Sequence, residues 1–358
     1  MKKGFLRKRG AAVLCALCCL VSAGGCSEDV VQVDEAPEQI SQIESTGVGD
    51  TYAMVVKEKT NPYMLKMFEG FQMACEELGV NALLMGPDSY TAEAQIELVE
   101  ELIELDVAAI AIAANHTDAL EPVLTRAMEA GIMVVSLDSS VNAQSRMVHI
   151  QQADPERIGR VLIQAAHKMT DGEGTAVIIS STPHATNQNL WVSWMKREVE
   201  ENPEKYAGFV LLPELYGEDS MERTEELTLL LLQEHPDLDV IITPSVVSML
   251  TVGNVLREQN SSVLFTGLGL PSEIADFIND GSCPWMYLWN PIDIGYLGAY
   301  AASALDLGEI TGKEGDTFYA GSMGLRAVVS AADGGTEILL GDPIKFDQDN
   351  INEWKLVY

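Results

Sequence analysis

Short apolar runs alternate with longer amphipathic stretches from residue 51 onward. Residues 53–56 form the first run, and the spacing predicts a helix over 62–78 behind it. Asn61 stands at its N-cap and Pro62 at its first position, where a missing N–H is no loss. A strand at 81–85 and a helix over 92–105 follow. Residues 108–113 are apolar on both faces, as a central parallel strand requires. A helix at 120–130 and a strand at 133–136 close this first series. After a run at 147–150 the rhythm resumes with helices at 155–169, 186–201, 221–234, 246–258 and 271–279. Strands at 176–180, 208–212, 240–243 and 263–266 separate them, and one more apolar run lies at 285–288. This is an α/β pattern of parallel sheets flanked by helices on both faces. Two series parted near residue 150 predict two similar lobes.

The N-terminus breaks the rhythm and changes the charge balance. The 358 residues carry 22 Lys+Arg against 54 Asp+Glu, a formal charge of −32. Yet Lys2, Lys3, Arg7, Lys8 and Arg9 precede any acid, and an apolar run at 11–21 follows them. That is the layout of a signal peptide, and the run is short for a membrane span. Small residues at 22–25 directly precede Cys26, the arrangement of a bacterial lipobox in which the thiol is lipidated. Loss of residues 1–25 would take the charge from −32 to −37. Residues 26–50 then read as an acidic flexible tether, with seven acids and no base after Cys26. The acid excess argues against a nucleic-acid partner, which needs clustered Lys and Arg. Beyond the signal and Cys26 only Cys75 and Cys283 remain. They lack metal-ligand spacing and are read as buried free thiols, with a disulfide between them as the alternative.

In parallel α/β sheets, ligands sit beyond the carboxyl ends of the strands. Lys57, Asn61 and Tyr63 follow the first strand, and Asp138 follows the strand at 133–136. Asn187, Gln188 and Trp191 follow 176–180, Pro244 follows 240–243, and Trp289 and Asn290 follow 285–288. Side-chain amides, one carboxylate, one Lys and two indoles suit a neutral polyhydroxylated ligand. Amides and a carboxylate pair with hydroxyls, while an indole covers the apolar face of a sugar ring. Each residue also has an ordinary structural use, such as capping by Asn187 or core packing by Trp191. The recurrence at equivalent strand ends in both halves favours the ligand reading.

At these residues the chain resembles the sugar-binding proteins of ABC importers in the ribose-binding-like superfamily. The resemblance runs from about Thr51 to the C-terminus, and is most similar to the rhamnose-binding proteins and their relatives, the autoinducer-2 receptors. The stretches 186–191 (TNQNLW), 266–273 (TGLGLPSE) and 288–296 (LWNPIDIGY) carry it, with 320–324 (AGSMG) in support. The resemblance implies a two-lobed type I periplasmic-binding-protein fold joined by three hinge strands. It divides the chain into a first lobe of 51–148 with 286–325 and a second of 149–285 with 326–358, with hinges near 140–151, 284–291 and 323–328. By position, Lys57, Asp138, Asn187, Gln188 and Pro244 fall where autoinducer receptors contact their ligand. Asn187 replaces the Asp of that branch, which suits a deoxy sugar. Leu137 and Met64 are further departures, standing where relatives tend to carry aromatic residues. The acid that ribose-type proteins carry after 263–266 is absent, which argues against ribose.

The function implied is an extracytoplasmic solute-binding lipoprotein, anchored to the cell membrane at Cys26. It would capture L-rhamnose or a related deoxy sugar by closure of its lobes and deliver it to an ABC permease. The alternative is a receptor that hands its closed form to a membrane sensor. A monomer without cofactor or metal is expected. No nucleophile elbow, Walker loop or His-Glu-x-x-His occurs, and 267–271 (GLGLP) lacks the third glycine of a dinucleotide loop, so no enzyme is expected.

Overall fold

A computed structural model describes residues 50–358; the expected signal peptide, Cys26 and nearly all of the tether lie outside the described residues. The first series folds as β1 (Thr51–Val55), α1 (Pro62–Leu78), β2 (Asn81–Met85), α2 (Ala92–Glu104), β3 (Ala109–Ile112), α3 (Glu121–Glu129), β4 (Met133–Leu137) and β5 (Val148–Gln151). Side chains alternate across this sheet with period two. Tyr52 and Met54 of β1 and Ala109 and Ala111 of β3 join the core that holds Met67 and Phe71 of α1. Ala53, Val55, Ile110 and Ile112 face the other way, against Val99 and Leu102 of α2 and Val123 and Leu124 of α3. Asn61 caps α1 as expected, its Oδ1 accepting from the backbone N–H of Tyr63 and Met64.

The second series runs α4 (Pro155–Met169), β6 (Glu173–Ser180), α5 (Thr186–Glu201), β7 (Gly208–Leu211), β8 (Leu215–Tyr216), α6 (Met221–Glu234), β9 (Leu238–Thr243), α7 (Val246–Glu258), β10 (Leu264–Gly267), α8 (Pro271–Asp280) and β11 (Met286–Leu288). Its parallel sheet has the order β10-β9-β6-β7, with β8 paired to the end of β6. Cys75 and Cys283 are both buried free thiols.

The C-terminal part alternates between the lobes. Helix α9 (Pro291–Asp306) returns to pack on α1, β3 and β4. A hairpin of β12 (Thr317–Tyr319) and β13 (Leu325–Ala327) follows, then β14 (Val329–Ser330) and β15 (Thr336–Leu339). β16 (Ile344–Phe346) then pairs with β11 in the second lobe, and α10 (Ile351–Trp354) packs on α8. The first sheet therefore has seven strands in the order β14-β15-β5-β4-β3-β1-β2. This corrects the expected boundaries. Strand β15 lies parallel to β5, pairing Ile338 with Ile150, so residues 329–339 belong to the first lobe and not the second. The whole of β5 belongs there too. Three crossings connect the lobes, at 152–154, 289–290 and 340–343, so the third lies well beyond the expected 323–328.

Two glycines set the spacing of α1 and α9. A Cβ on Gly70 would sit 1.8 Å from the carbonyl oxygen of Ile292, and one on Gly295 would sit 1.7 Å from that of Met67. On the other side of α9, a Cβ on Gly298 would lie 2.9 Å from Leu137 Cδ2. Leu137 is fully buried in this core.

Candidate ligand-binding site

The carboxyl ends of both sheets face one small cavity, with about 390 Å³ of empty space that is partly open to solvent. From the first lobe come Lys57 after β1, Asn61 and Tyr63 at the start of α1, and Asp138 after β4. The second lobe supplies Asn187, Gln188 and Trp191 on the first turns of α5, and Pro244 between β9 and α7. Trp289 enters from the crossing after β11.

Asp138 is the hub of this site. It holds a left-handed backbone conformation (φ 60°), which Asp tolerates better than most residues. Its Oδ1 accepts from Tyr63 Oη at 3.2 Å and Gln152 Nε2 at 2.7 Å. Its Oδ2 meets Lys57 Nζ at 3.2 Å and accepts from Asn187 Nδ2 at 3.3 Å. Four donors from the first lobe, a crossing and the second lobe thus converge on one buried carboxylate. Burial against that charge pushes the Tyr63 hydroxyl well above the usual tyrosine range. Each polar partner offsets part of the desolvation of the Lys57–Asp138 pair, whose side chains are 6% and 5% exposed.

The strand that leads into the crossing next to Asp138 carries a pH response. His149 of β5 is buried between Ser136 Oγ, 2.9 Å from its Nδ1, and Gln151 Oε1, 3.0 Å from its Nε2. Gln151 Oε1 can only accept, so the neutral ring donates from Nε2 and accepts at Nδ1. Burial, aided by the Arg146 charge, lowers its pKa from 6.5 to about 4. The unfolded chain then binds a proton that the folded chain refuses between those values, so stability falls as pH drops from about 6.5 towards 4. The expected contribution is about 3 kcal/mol at full effect. Urea melts at pH 7 and pH 4.5 check it: His149→Gln should remove this part of the slope, and an unchanged slope contradicts the assignment.

The two indoles play different parts. Trp289 Nε1 donates to Tyr63 Oη at 2.6 Å, and its ring lies 5.5 Å from that of Trp191 at 59°. Trp191 is 2% exposed, yet its Nε1 has no hydrogen-bond partner. Gln188 Oε1 accepts from Ser180 Oγ and the Ser181 N–H, both at 2.9 Å, which fixes its amide group. Asn290 needs correction. Its Oδ1 accepts from the Ile292 N–H at 3.1 Å as the N-cap of α9, and the residue does not line the cavity. The capping geometry turns that side chain along the helix and away from the ligand space.

Several lining residues lack a clear sequence signal. Met64, a departure in the sequence, has a buried side chain that lines the cavity beside Tyr63. Tyr90 follows β2, so the strand-end rule could have found it. Asp219 follows β8, a strand of two residues that leaves no periodicity to read. It sits in a turn where both Glu218 (φ 57°) and Asp219 (φ 47°) are left-handed, and Ser245 Oγ donates to its Oδ1. Gln152, which ties Asp138 to the crossing, showed no signal at all. Across the mouth of the cleft, His116 of the first lobe and His184 of the second stack with ring centroids 5.2 Å apart.

Residues 52–310 match the family model described as a periplasmic binding protein domain. The chain belongs to the periplasmic binding protein family. A solved ABC transporter solute-binding protein from Clostridium phytofermentas, with bound L-rhamnose, is 41% identical with a TM-score of 0.83, covering 87% of this chain and 99% of that one. A sugar ABC transporter protein from Actinomyces odontolyticus is 32% identical with a TM-score of 0.69, covering 85% and 97%. A D-ribose/D-allose-binding protein of Pseudomonas aeruginosa is 26% identical over 201 residues, 53% of this chain. That match spans 60% of the curated relative's length. An LsrB protein from Clostridium saccharobutylicum in complex with AI-2 shares the fold, with a TM-score of 0.78 at 21% identity over 85% of this chain and 99% of that one.

This periplasmic binding protein therefore stands among the solute-binding proteins of sugar ABC transporters, a group of binding proteins and not of enzymes. The family works outside the cytoplasm. Among the described residues no helix is long and apolar enough to cross a membrane, and no cluster of three or more His, Cys, Asp or Glu is placed to hold a metal ion.

Proposed function

We propose that this protein captures a neutral sugar, L-rhamnose or a related deoxy sugar, by closure of its two lobes, and delivers it to a membrane permease. The observation that carries this reading is the buried Asp138 hub, where donors from both lobes meet inside a cavity walled by two indoles. The likeness to the rhamnose-bound relative supports the choice of sugar. Lys57, Asn61 and Tyr63 bind hydroxyls from the first lobe, held in place by Asp138, and Asn187, Gln188 and the Pro244 backbone bind them from the second. Trp191 and Trp289 cover the ring. Closure is selective because only a ligand that reaches both sets of groups stabilises the closed form. In this reading the protein acts as a monomer tethered by lipid on Cys26, which lies outside the described residues.

A thermal-shift screen of L-rhamnose, other deoxy sugars, pentoses and autoinducer-2 tests the proposal. A true ligand at 100 times its Kd stabilises the folded form by about 2.7 kcal/mol, so its melting point rises with concentration. L-rhamnose or a close deoxy relative is expected to give the largest rise. A rise with autoinducer-2 alone contradicts the sugar assignment.

A further inference from the structure

Asp138 and Asp219 line the same cavity, but their carboxylates are committed very differently. A carboxylate offers about four acceptor sites. Asp138 already meets four protein donors: Tyr63, Gln152, Lys57 and Asn187. Asp219 accepts at Oδ1 from Ser245 Oγ, which is itself fixed as the N-cap of α7. That bond orients the carboxylate, and with Tyr90 of the opposite lobe as its second neighbour about half of its acceptor capacity stays open. The backbone holding it is strained, with two successive left-handed residues, and such strain persists where surrounding structure enforces it. The Glu218 N–H donates to Ser181 O at 2.7 Å and the Ser220 N–H to Gly217 O at 2.9 Å, so the turn is anchored on both sides. Burial raises the hydroxyl of Tyr90, from the opposite lobe, well above the usual range, and the Asp219 carboxylate beside it adds to the rise. Tyr90 and Asp219 also line the outer groove that abuts the cavity, which places the pair in the wall between ligand and solvent. Trp191 complements this carboxylate: its buried Nε1 is a donor without a protein partner.

We propose that Asp219 is a specificity-determining ligand residue: its carboxylate accepts a hydroxyl pair of the sugar, while Trp191 Nε1 donates to an oxygen of the same ligand. The ligand class that fits is a sugar with a vicinal diol on the edge facing the second lobe and a ring or hydroxyl oxygen towards Trp191. This rests on the sugar reading above and adds the residue that selects among sugars. A hydroxyl bound to a fixed, half-buried carboxylate discriminates against analogues that lack it, because the carboxylate is then left short of a donor.

Calorimetric titration of the purified wild type and of Asp219→Asn with L-rhamnose and its 2-, 3- and 4-deoxy derivatives tests the proposal. Asp219→Asn should weaken L-rhamnose binding ~10- to 100-fold, the range for a hydrogen bond to a charged group. It should also abolish the wild type's discrimination against at least one deoxy derivative. A merely structural role would weaken all four ligands equally and leave discrimination intact, which overturns the proposal. Undiminished binding by the variant overturns it as well. No binding by folded wild type overturns the sugar reading and this inference together, which separates the two failures. Should Asp219→Asn not fold, Asp219→Glu, which displaces the carboxylate by one methylene, must show the same lost discrimination. Trp191→Phe removes the donor together with the fused five-membered ring; it should lower affinity about tenfold, with a lower melting point of the free protein from the space left behind.

Discussion

Asp138→Asn is expected to lower stability by about 3 kcal/mol and to weaken sugar binding by at least ~100-fold. The stability loss follows from the partner left behind. Lys57 is buried with 6% of its side chain exposed, and Asp138 is its counter-charge. An ammonium deprived of that charge inside the protein bears the full desolvation penalty. The binding loss has a second source, since Asp138 also joins Tyr63 and Gln152 to Asn187 of the opposite lobe. A double replacement separates these effects. Lys57→Met with Asp138→Asn removes the charges together, while Asn keeps the left-handed backbone at 138 and an acceptor for the remaining donors, so no buried charge is left unpaired. The double variant should therefore recover most of the stability by urea melting and none of the affinity by calorimetry. Recovery of both would assign the hub a purely structural role.

Gly295→Ala tests the other large effect, the contact of α9 with α1. Helix propensity alone predicts a gain of about 1 kcal/mol from replacing a helical glycine. The packing predicts the opposite. A Cβ at this position would stand 1.7 Å from the Met67 carbonyl oxygen and 2.9 Å from the Phe71 nitrogen, both backbone atoms that cannot rotate away. The helices would have to separate, opening the core that β3 lines with Ala109 and Ala111. Overpacking typically costs about 1–3 kcal/mol and more where backbone must move, so the net loss expected is about 3 kcal/mol. Gly341→Ala is the control, since nothing lies within 4 Å of its Cβ position; its change should stay within about 0.5 kcal/mol. If Gly295→Ala is as stable as the control, the close helix contact is not there.

Much of the fold is legible in the sequence because its elements bury strong patterns. Helix α1 carries a cap at Asn61 and a Pro at its first position, and both appear in the structure. The strands at 81–85 and the helices at 155–169, 186–201, 221–234 and 246–258 match their expected limits. What escaped was short or non-local. β8 and β14 have two residues each, and β15 owes its place to pairing with β5, nearly two hundred residues earlier in the chain. No local pattern encodes such a partner, so the place of residues 329–339 in the first lobe is not legible in the sequence. The site divides in the same way. Lys57, Asp138, Asn187 and Pro244 follow strands that can be read, and all line the cavity. Asp219 follows a strand that cannot, and Gln152 lies in a crossing. Asn290 carried the right chemistry at a strand end, but the first turn of α9 claims its side chain.

Calorimetric titration of the purified protein with L-rhamnose addresses the central claim most directly. The account predicts one-site binding with heat release, abolished by Asp138→Asn and strongly weakened by Asp219→Asn. Absence of any heat at millimolar L-rhamnose, from protein that melts cooperatively, would contradict it.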